Sequence, residues 1–140
     1  MSVSVAPTTD IATCLALRRV VFIEEQSVPE VEEVDGLDGE ALHILAVADG
    51  RAVGCARILL KANTAKIGRV CVLQDMRGAG LGAQIIAGCL DAAKTQLGAQ
   101  KAFLGSQTHA IGFYEKLGFH AFGPEYDDAG IPHRDMEITL

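Results

Sequence analysis

The sequence predicts an α/β (α+β) fold: a mixed, mostly antiparallel twisted sheet with helices on both faces. Three observations predict it. Apolar, β-branched runs between Ala41 and Leu73 fall into three pieces separated by turn signals. A glycine-punctuated stretch, Arg77-Gly78-Ala79-Gly80-Leu81-Gly82, then opens an apolar pattern of helical period. A further apolar run, "KAFLGS", follows that helix, and a strand–helix–strand unit is what brings a parallel pair into a sheet. A length of 140 residues, 49% of them apolar, is that of one ordinary domain, 1–140, with material for a core.

The elements follow in order. "SVSVA" at Ser2–Ala6 alternates as a first strand, and Asp10 is placed to cap a helix from Ile11 to Phe22. The apolar residues of that helix, Ile11, Leu15, Val20 and Phe22, leave Arg18 and Arg19 to the exposed side. An acidic, irregular region with Pro29 and the turn signals of "DGLDG" comes next. Asp49-Gly50 then marks a hairpin, "KANTAK" a second turn, and together they make a three-stranded antiparallel meander. Leu81–Leu97 reads as a helix whose apolar face is Leu81, Ile85, Ile86, Cys89, Leu90 and Ala93, ended by Gly98. "KAFLGS" is a strand, "AIGFYEKLGF" a short helix closed by Gly118, and "RDMEITL" a final strand.

Composition removes several function classes. The amino-terminal residues lack the basic start and apolar core of a signal peptide. No run approaches the roughly 20 apolar residues of a membrane span, so a soluble, cytoplasmic protein is expected. Cys14, Cys55, Cys71 and Cys89 form no CxxC pair, and the four histidines lack ligand spacing, so no metal is expected. The net charge of −6 is uneven: Glu24–Glu40 holds eight of the 18 acids and no Lys or Arg, which leaves the remainder at ten acids against twelve bases, or +2. No basic stripe suits nucleic acid. The acidic run is either a solvated loop or an electrostatic funnel for a cationic substrate.

The glycines raise the question of which anion the helix start would hold, since helix N-termini favour negative charge. A phosphate-binding loop of the P-loop kind needs Gly-Lys-Ser/Thr, and no Lys follows here. The relaxed dinucleotide pattern does fit Gly78–Ala83. However, the strand that follows ends in "GSQT" without an acid for the ribose, and too little chain remains for a second half. An acyl-coenzyme A carrier is the third option.

The residues favour that third option. Arg77, Gly80 and Gly82 occupy the defining positions of [R/Q]-x-x-G-x-[G/A], and "QTHAIGFYEKLGF" from Gln107 to Phe119 resembles N-x-x-A-x-x-[F/L]-Y-x-x-x-G-[F/Y]. Two motifs in register, with the same element order, resemble the GNAT superfamily of acetyl-CoA-dependent N-acetyltransferases over nearly the whole chain. "VVFIEEQSVPEVEEVDGLDGEALHILA" and "AGIPHRDME" resemble its small bacterial ElaA-like branch. The resemblance implies a splayed central strand pair and acetyl-CoA as co-substrate, with its pyrophosphate on the backbone of Gly78, Ala79, Gly80, Leu81, Gly82 and Ala83. It also implies charge-assisted contacts from Arg77 and a backbone N–H at Val72 as oxyanion donor. Cys71 and Val72 would lie near the acetyl group, and Gln107 beside the cofactor. Tyr114 would be the general acid for the departing thiolate.

Two departures accompany it. Lys66-Ile67-Gly68-Arg69 carries no acid where many relatives place a Glu, so Glu24 and Glu25 are the base candidates, with His109 and His133 behind them. Gln107 stands where Asn is usual. Arg69 is read as a carboxylate or phosphate clamp or as a strand-surface ion pair, and His133 as a substrate-binding residue. The expectation is acetyl transfer directly to a small, cationic amine, by a monomer or a homodimer. The rivals are a non-catalytic acyl-CoA-binding module and, more distantly, a dinucleotide-dependent oxidoreductase.

Overall fold

A computed structural model describes residues 1–140. Seven strands form one sheet: β1 Val3–Thr8, β2 Leu42–Ala48, β3 Arg51–Lys61, β4 Thr64–Val72, β5 Lys101–Gln107, β6 His120–Asp128 and β7 Ile131–Thr139. Their order is β1-β2-β3-β4-β5-β7-β6. Every neighbouring pair is antiparallel except β4 with β5. The helices are α1 Ile11–Arg18, α2 Glu30–Glu33, α3 Leu81–Thr95 and α4 Ile111–Lys116.

The cap and turn expectations hold. The Asp10 side chain accepts the Thr13 N–H at 3.1 Å. Asp49 and Gly50 both have positive φ (50° and 81°), the conformation a two-residue hairpin with right-handed strand twist requires.

Four elements differ from the sequence reading. Past Arg18 the first helix does not continue as an α-helix to Phe22 but widens into a π-helical stretch over Arg19–Glu25. The acidic region is not irregular throughout, since it folds into α2 and a helical turn at Asp38–Glu40. The strand β6 was missed, and β7 begins at Ile131 rather than Arg134. The Gly123-Pro124 step and the acids of "HAFGPEYDD" read as loop, because this edge strand pairs only with β7 and buries almost nothing. An edge is where a sheet tolerates proline.

The sheet separates two apolar clusters. One, carrying Ile44, Ile58, Ile67 and Leu104, packs under α3 through Leu81, Ile85 and Ile86. The other joins Cys14, Leu17 and Val21 of the first helix to Cys55 and Cys71. All four cysteines are buried and unbridged.

The central pair is splayed. β4 pairs with β5 only where Thr64–Lys66 faces Lys101–Phe103. Beyond that, β5 stays with β7 and β4 with β3. An irregularity in β4 helps to part them. Cys55 faces Cys71 and Arg57 faces Gly68, so Ala56 opposes both Arg69 and Val70. This is a β-bulge, and Arg69 takes its left-handed conformation at φ 52°.

Candidate active site

The gap opened by the splay is a cavity of about 630 Å³. Its walls are residues 66–70 of β4, residues 103–107 of β5, the start of the acidic segment, the β6–β7 hairpin and Tyr114 of α4.

At its carboxyl-terminal end β4 runs into the glycine stretch. Gly78 and Gly80 have φ 86° and 81°, a region L side chains resist, and a Cβ built on Gly80 would meet no atom within 4 Å. Gly82 has a different reason to lack a side chain, because its Cβ would sit 3.3 Å from the Phe113 ring. Gly80 precedes α3 without a side-chain cap, and Gln84 N–H to Gly80 O at 3.2 Å begins the helical bonding. The N–H groups before Gln84 therefore have no partner in the helix. With open space and the positive end of the helix dipole, the cradle fits a diphosphate.

Val72 lies on the open side of β4. Leu73 N–H bonds Val53 O at 2.9 Å on the β3 side, and alternation turns the Val72 N–H towards the edge that β5 has left. Cys71 points elsewhere: its thiol is buried in the cluster beneath the first helix, 3.5 Å from Cys55 Sγ, and does not line the slot.

Arg77 makes contacts the sequence could not reveal. Its Nη1 and Nη2 donate to Glu25 at 2.6 and 2.8 Å, and its Nε donates to Val72 O at 3.0 Å. The guanidinium holds the Glu25 carboxyl below its usual range, which makes it a weaker proton acceptor. Neither Glu25 nor the exposed Glu24 lines the cavity, so the two sequence candidates for the base are outside it.

Gln107 lines the slot and is engaged on both ends of its amide. Nε2 donates to Gln26 Oε1 at 3.1 Å, and Oε1 lies 2.7 Å from His109 Nε2. Tyr114 packs edge-on between Phe113 and Phe119, with centroids at 5.0 and 5.8 Å. Its hydroxyl has no partner in the chain, and burial raises its pKa to about 12, so it is a protonated donor at neutral pH. His133, in the hairpin wall, stacks on Tyr126.

The acidic segment is neither a free loop nor a bare funnel. Arg18, expected on the surface, is 1% exposed; its Nε donates to Glu33 Oε1 and its Nη1 to Asp38 Oδ1, both at 2.6 Å. Arg57 bonds Asp35 and also Asp38. Arg69 donates to Glu33 O at 3.1 Å and reaches Asp35 at 3.4 Å. Three guanidiniums thus face three carboxylates, Glu33, Asp35 and Asp38. Asp35 and Asp38 are held below the usual range, Asp35 mainly by its bond to Arg57 and Asp38 by Arg18 and Arg57 against the cost of burial. Arg69 is a staple for the segment, half-buried rather than on the strand surface. Sequence reasoning missed this network because its partners lie 15 to 36 residues apart. The one available signal was Arg57, a lone charge inside the apolar run "VGCARILL".

The comparisons agree with this geometry. Residues 15–140 match the family model described as the acetyltransferase (GNAT) domain. The uncharacterized N-acetyltransferase YjcF of Bacillus subtilis (strain 168) is 40% identical over 121 residues, 86% of this chain and 86% of the relative. Protein ElaA of Escherichia coli (strain K12) is 35% identical over 127 residues, 87% of this chain and 82% of the relative. The crystal structure of an acyl-CoA N-acyltransferase from Pseudomonas aeruginosa, 31% identical, superposes with a TM-score of 0.84 over 98% of this chain and 99% of that one.

Proposed function

The chain belongs to the GNAT acetyltransferases, and from that premise we propose that it transfers an acetyl group from acetyl-CoA directly to the amine of a small, cationic acceptor. One observation carries the reading. The freed edge of β4 and the unpartnered Tyr114 hydroxyl share one slot, and β4 leads from that slot directly into the uncapped start of α3.

Gly78 through Ala83 hold the pyrophosphate on backbone N–H groups. The Val72 N–H faces the thioester oxygen and stabilises the negative charge that develops there. Holding the acetyl carbon and the amine in one slot contributes through orientation. As the carbon–sulfur bond breaks, the Tyr114 hydroxyl gives its proton to the sulfur. Arg77 supports the cradle by fixing Glu25 and the Val72 carbonyl, and it contacts phosphate only if it leaves Glu25.

A cationic acceptor is supported by the mouth of the slot rather than by the acidic run as a whole. The segment's inner carboxylates are neutralised by arginines. Glu32 and Asp128 are exposed on the cavity wall and make no ion pair; of the cations on that wall, Arg57 and Arg69 are committed to the segment's inner carboxylates, which leaves Lys66. The same pairing leaves Arg69 little charge for a substrate carboxylate. We place the activity in one domain, 1–140, of a bacterial cytoplasmic protein; no helix is long and apolar enough to cross a membrane.

Tyr114→Phe tests the reading. It keeps the ring packing against Phe113 and Phe119 and removes the proton donor. Thiol release should fall by about 10²–10⁴ with acetyl-CoA affinity and melting temperature nearly unchanged. A variant as active as the parent would return Tyr114 to packing. A parent that binds acetyl-CoA but acetylates no amine would leave the acyl-CoA-binding module as the better reading.

A further inference from the structure

Building on the acetyl-transfer reading, we propose that His133 is the general base that takes the proton from the acceptor amine. The slot requires such a group. Glu24 and Glu25 lie outside it; on its wall Glu33 and Asp35 are committed to arginines, Asp135 accepts the Tyr126 hydroxyl, and the exposed Glu32 and Asp128 side chains make no hydrogen bond or ion pair that would orient them. His109 bonds Gln107 and does not line the cavity.

His133 opens into the slot from β7, directly across from Gln107 of β5. Its Nδ1 lies 2.7 Å from the Ile131 carbonyl oxygen. A carbonyl can only accept, so Nδ1 carries the hydrogen, and the lone pair of the ring's neutral form is at Nε2. Nε2 has no partner in the chain. The ring is also held in plane by its stack on Tyr126, with centroids 5.9 Å apart and 25° between planes. Tyr126 is fixed in turn, since its hydroxyl donates to Asp135 Oδ1 at 2.7 Å. Asp135 faces Gly105 across the β5–β7 pair, and a Cβ on Gly105 would collide with the Tyr126 hydroxyl. The absence of that side chain is what seats Tyr126 over β5. Tautomer and orientation are therefore both set, which is what a positioned base needs.

The step balances without a further reactant. The amine nitrogen forms its bond to the acetyl carbon and loses a proton to Nε2, while the carbon–sulfur bond breaks and the sulfur takes a proton from Tyr114. The proton on His133 returns through solvent to the Tyr114 oxygen, leaving an amide and a thiol.

His133→Asn is the test, because the Asn amide can still donate to Ile131 O while offering no basic lone pair. With acetyl-CoA and a panel holding an arylalkylamine and an aliphatic diamine, the variant should lose about 10²–10⁴ in kcat. Its acetyl-CoA affinity should stay within about twofold, and added imidazole should restore part of the rate. Should the Asn variant lose acetyl-CoA binding, His133→Gln is read in the same way. A variant with unchanged kcat, or with its loss confined to the acceptor KM, overturns the proposal. Wild-type protein that binds acetyl-CoA and releases no thiol with any amine overturns the transfer reading itself. That result is distinct from an active parent with an active variant.

Discussion

The two halves of the site are built in opposite ways. The half assigned to the cofactor is largely local: Leu73 to Gln84 supplies the strand end, the two left-handed glycines and the first turn of α3 within a dozen residues, with the Arg77–Glu25 pair as a single long-range tie. The half assigned to the acceptor is held from afar. Residues 30–40 are stapled by Arg18 of α1, Arg57 of β3 and Arg69 of the β4 bulge. A loop whose geometry is dictated by backbone conformation can keep its shape in any sequence that retains the glycines. A segment held by buried ion pairs depends on each partner, and breaking one leaves a charge with no water to solvate it. The acceptor wall is therefore the more fragile of the two.

The largest expected effect breaks that contrast at its centre. Arg18→Met leaves Glu33, 3% exposed, and Asp38 without their principal partner, and should cost about 3–5 kcal/mol in urea unfolding. Arg18→Met/Glu33→Leu should recover part of it, because replacing both buried charges removes the stranded one. A single-variant loss below about 1 kcal/mol would give these pairs the value of exposed ones and remove the asymmetry.

A smaller effect is expected on the cofactor side. Gly80→Val should leave a folded domain, since a Cβ there meets no protein atom within 4 Å and the left-handed strain is about 1–2 kcal/mol. Acetyl-CoA affinity measured by calorimetry should fall at least about tenfold, because the side chain occupies the space the cradle leaves for a ligand. Unchanged affinity would move the cofactor off this loop.

The same contrast explains what the sequence could and could not disclose. Arg77, Gly80 and Gly82 sit in one short motif, so the loop and the helix behind it were legible, as were the Asp49-Gly50 hairpin and the Asp10 cap. Family resemblance supplied the splay, but nothing in the periodicity of β4 announced that Arg69 would take φ 52° in a bulge. Arg18 read as exposed because helical spacing separates apolar from polar, and it has no means of showing that a carboxylate 15 residues on will follow the arginine into the interior. The strand β6 was hidden for a related reason: an edge strand with an outward face has neither apolar alternation nor a reason to exclude proline. His133 and Tyr126 come together only through the β6–β7 pairing, so their stack was invisible as well.

The smallest expected effect sharpens the comparison from the acceptor side. If residues 30–40 act electrostatically at all, the charge available is what the arginines leave over. Glu32 is the test case, since it lines the cavity, is exposed, and has a side chain with no ion-pair partner. Glu32→Gln keeps the shape of the side chain and removes its charge. An exposed charge acting on a cationic acceptor near contact is worth on the order of 1 kcal/mol in water, so the acceptor KM should rise only a few-fold, with kcat unchanged. Raising the ionic strength should shrink the difference, because exposed charges are screened over about 8 Å at physiological salt. The matching change at Glu33 should behave otherwise. Its carboxylate is buried against Arg18, so Glu33→Gln should lower unfolding stability, and salt should do little to restore it. Equal, salt-sensitive KM effects at both positions would make the whole acidic run a solvated funnel after all. The predicted split, kinetic at Glu32 and structural at Glu33, follows from neighbouring carboxylates of which only one retains its charge for the substrate.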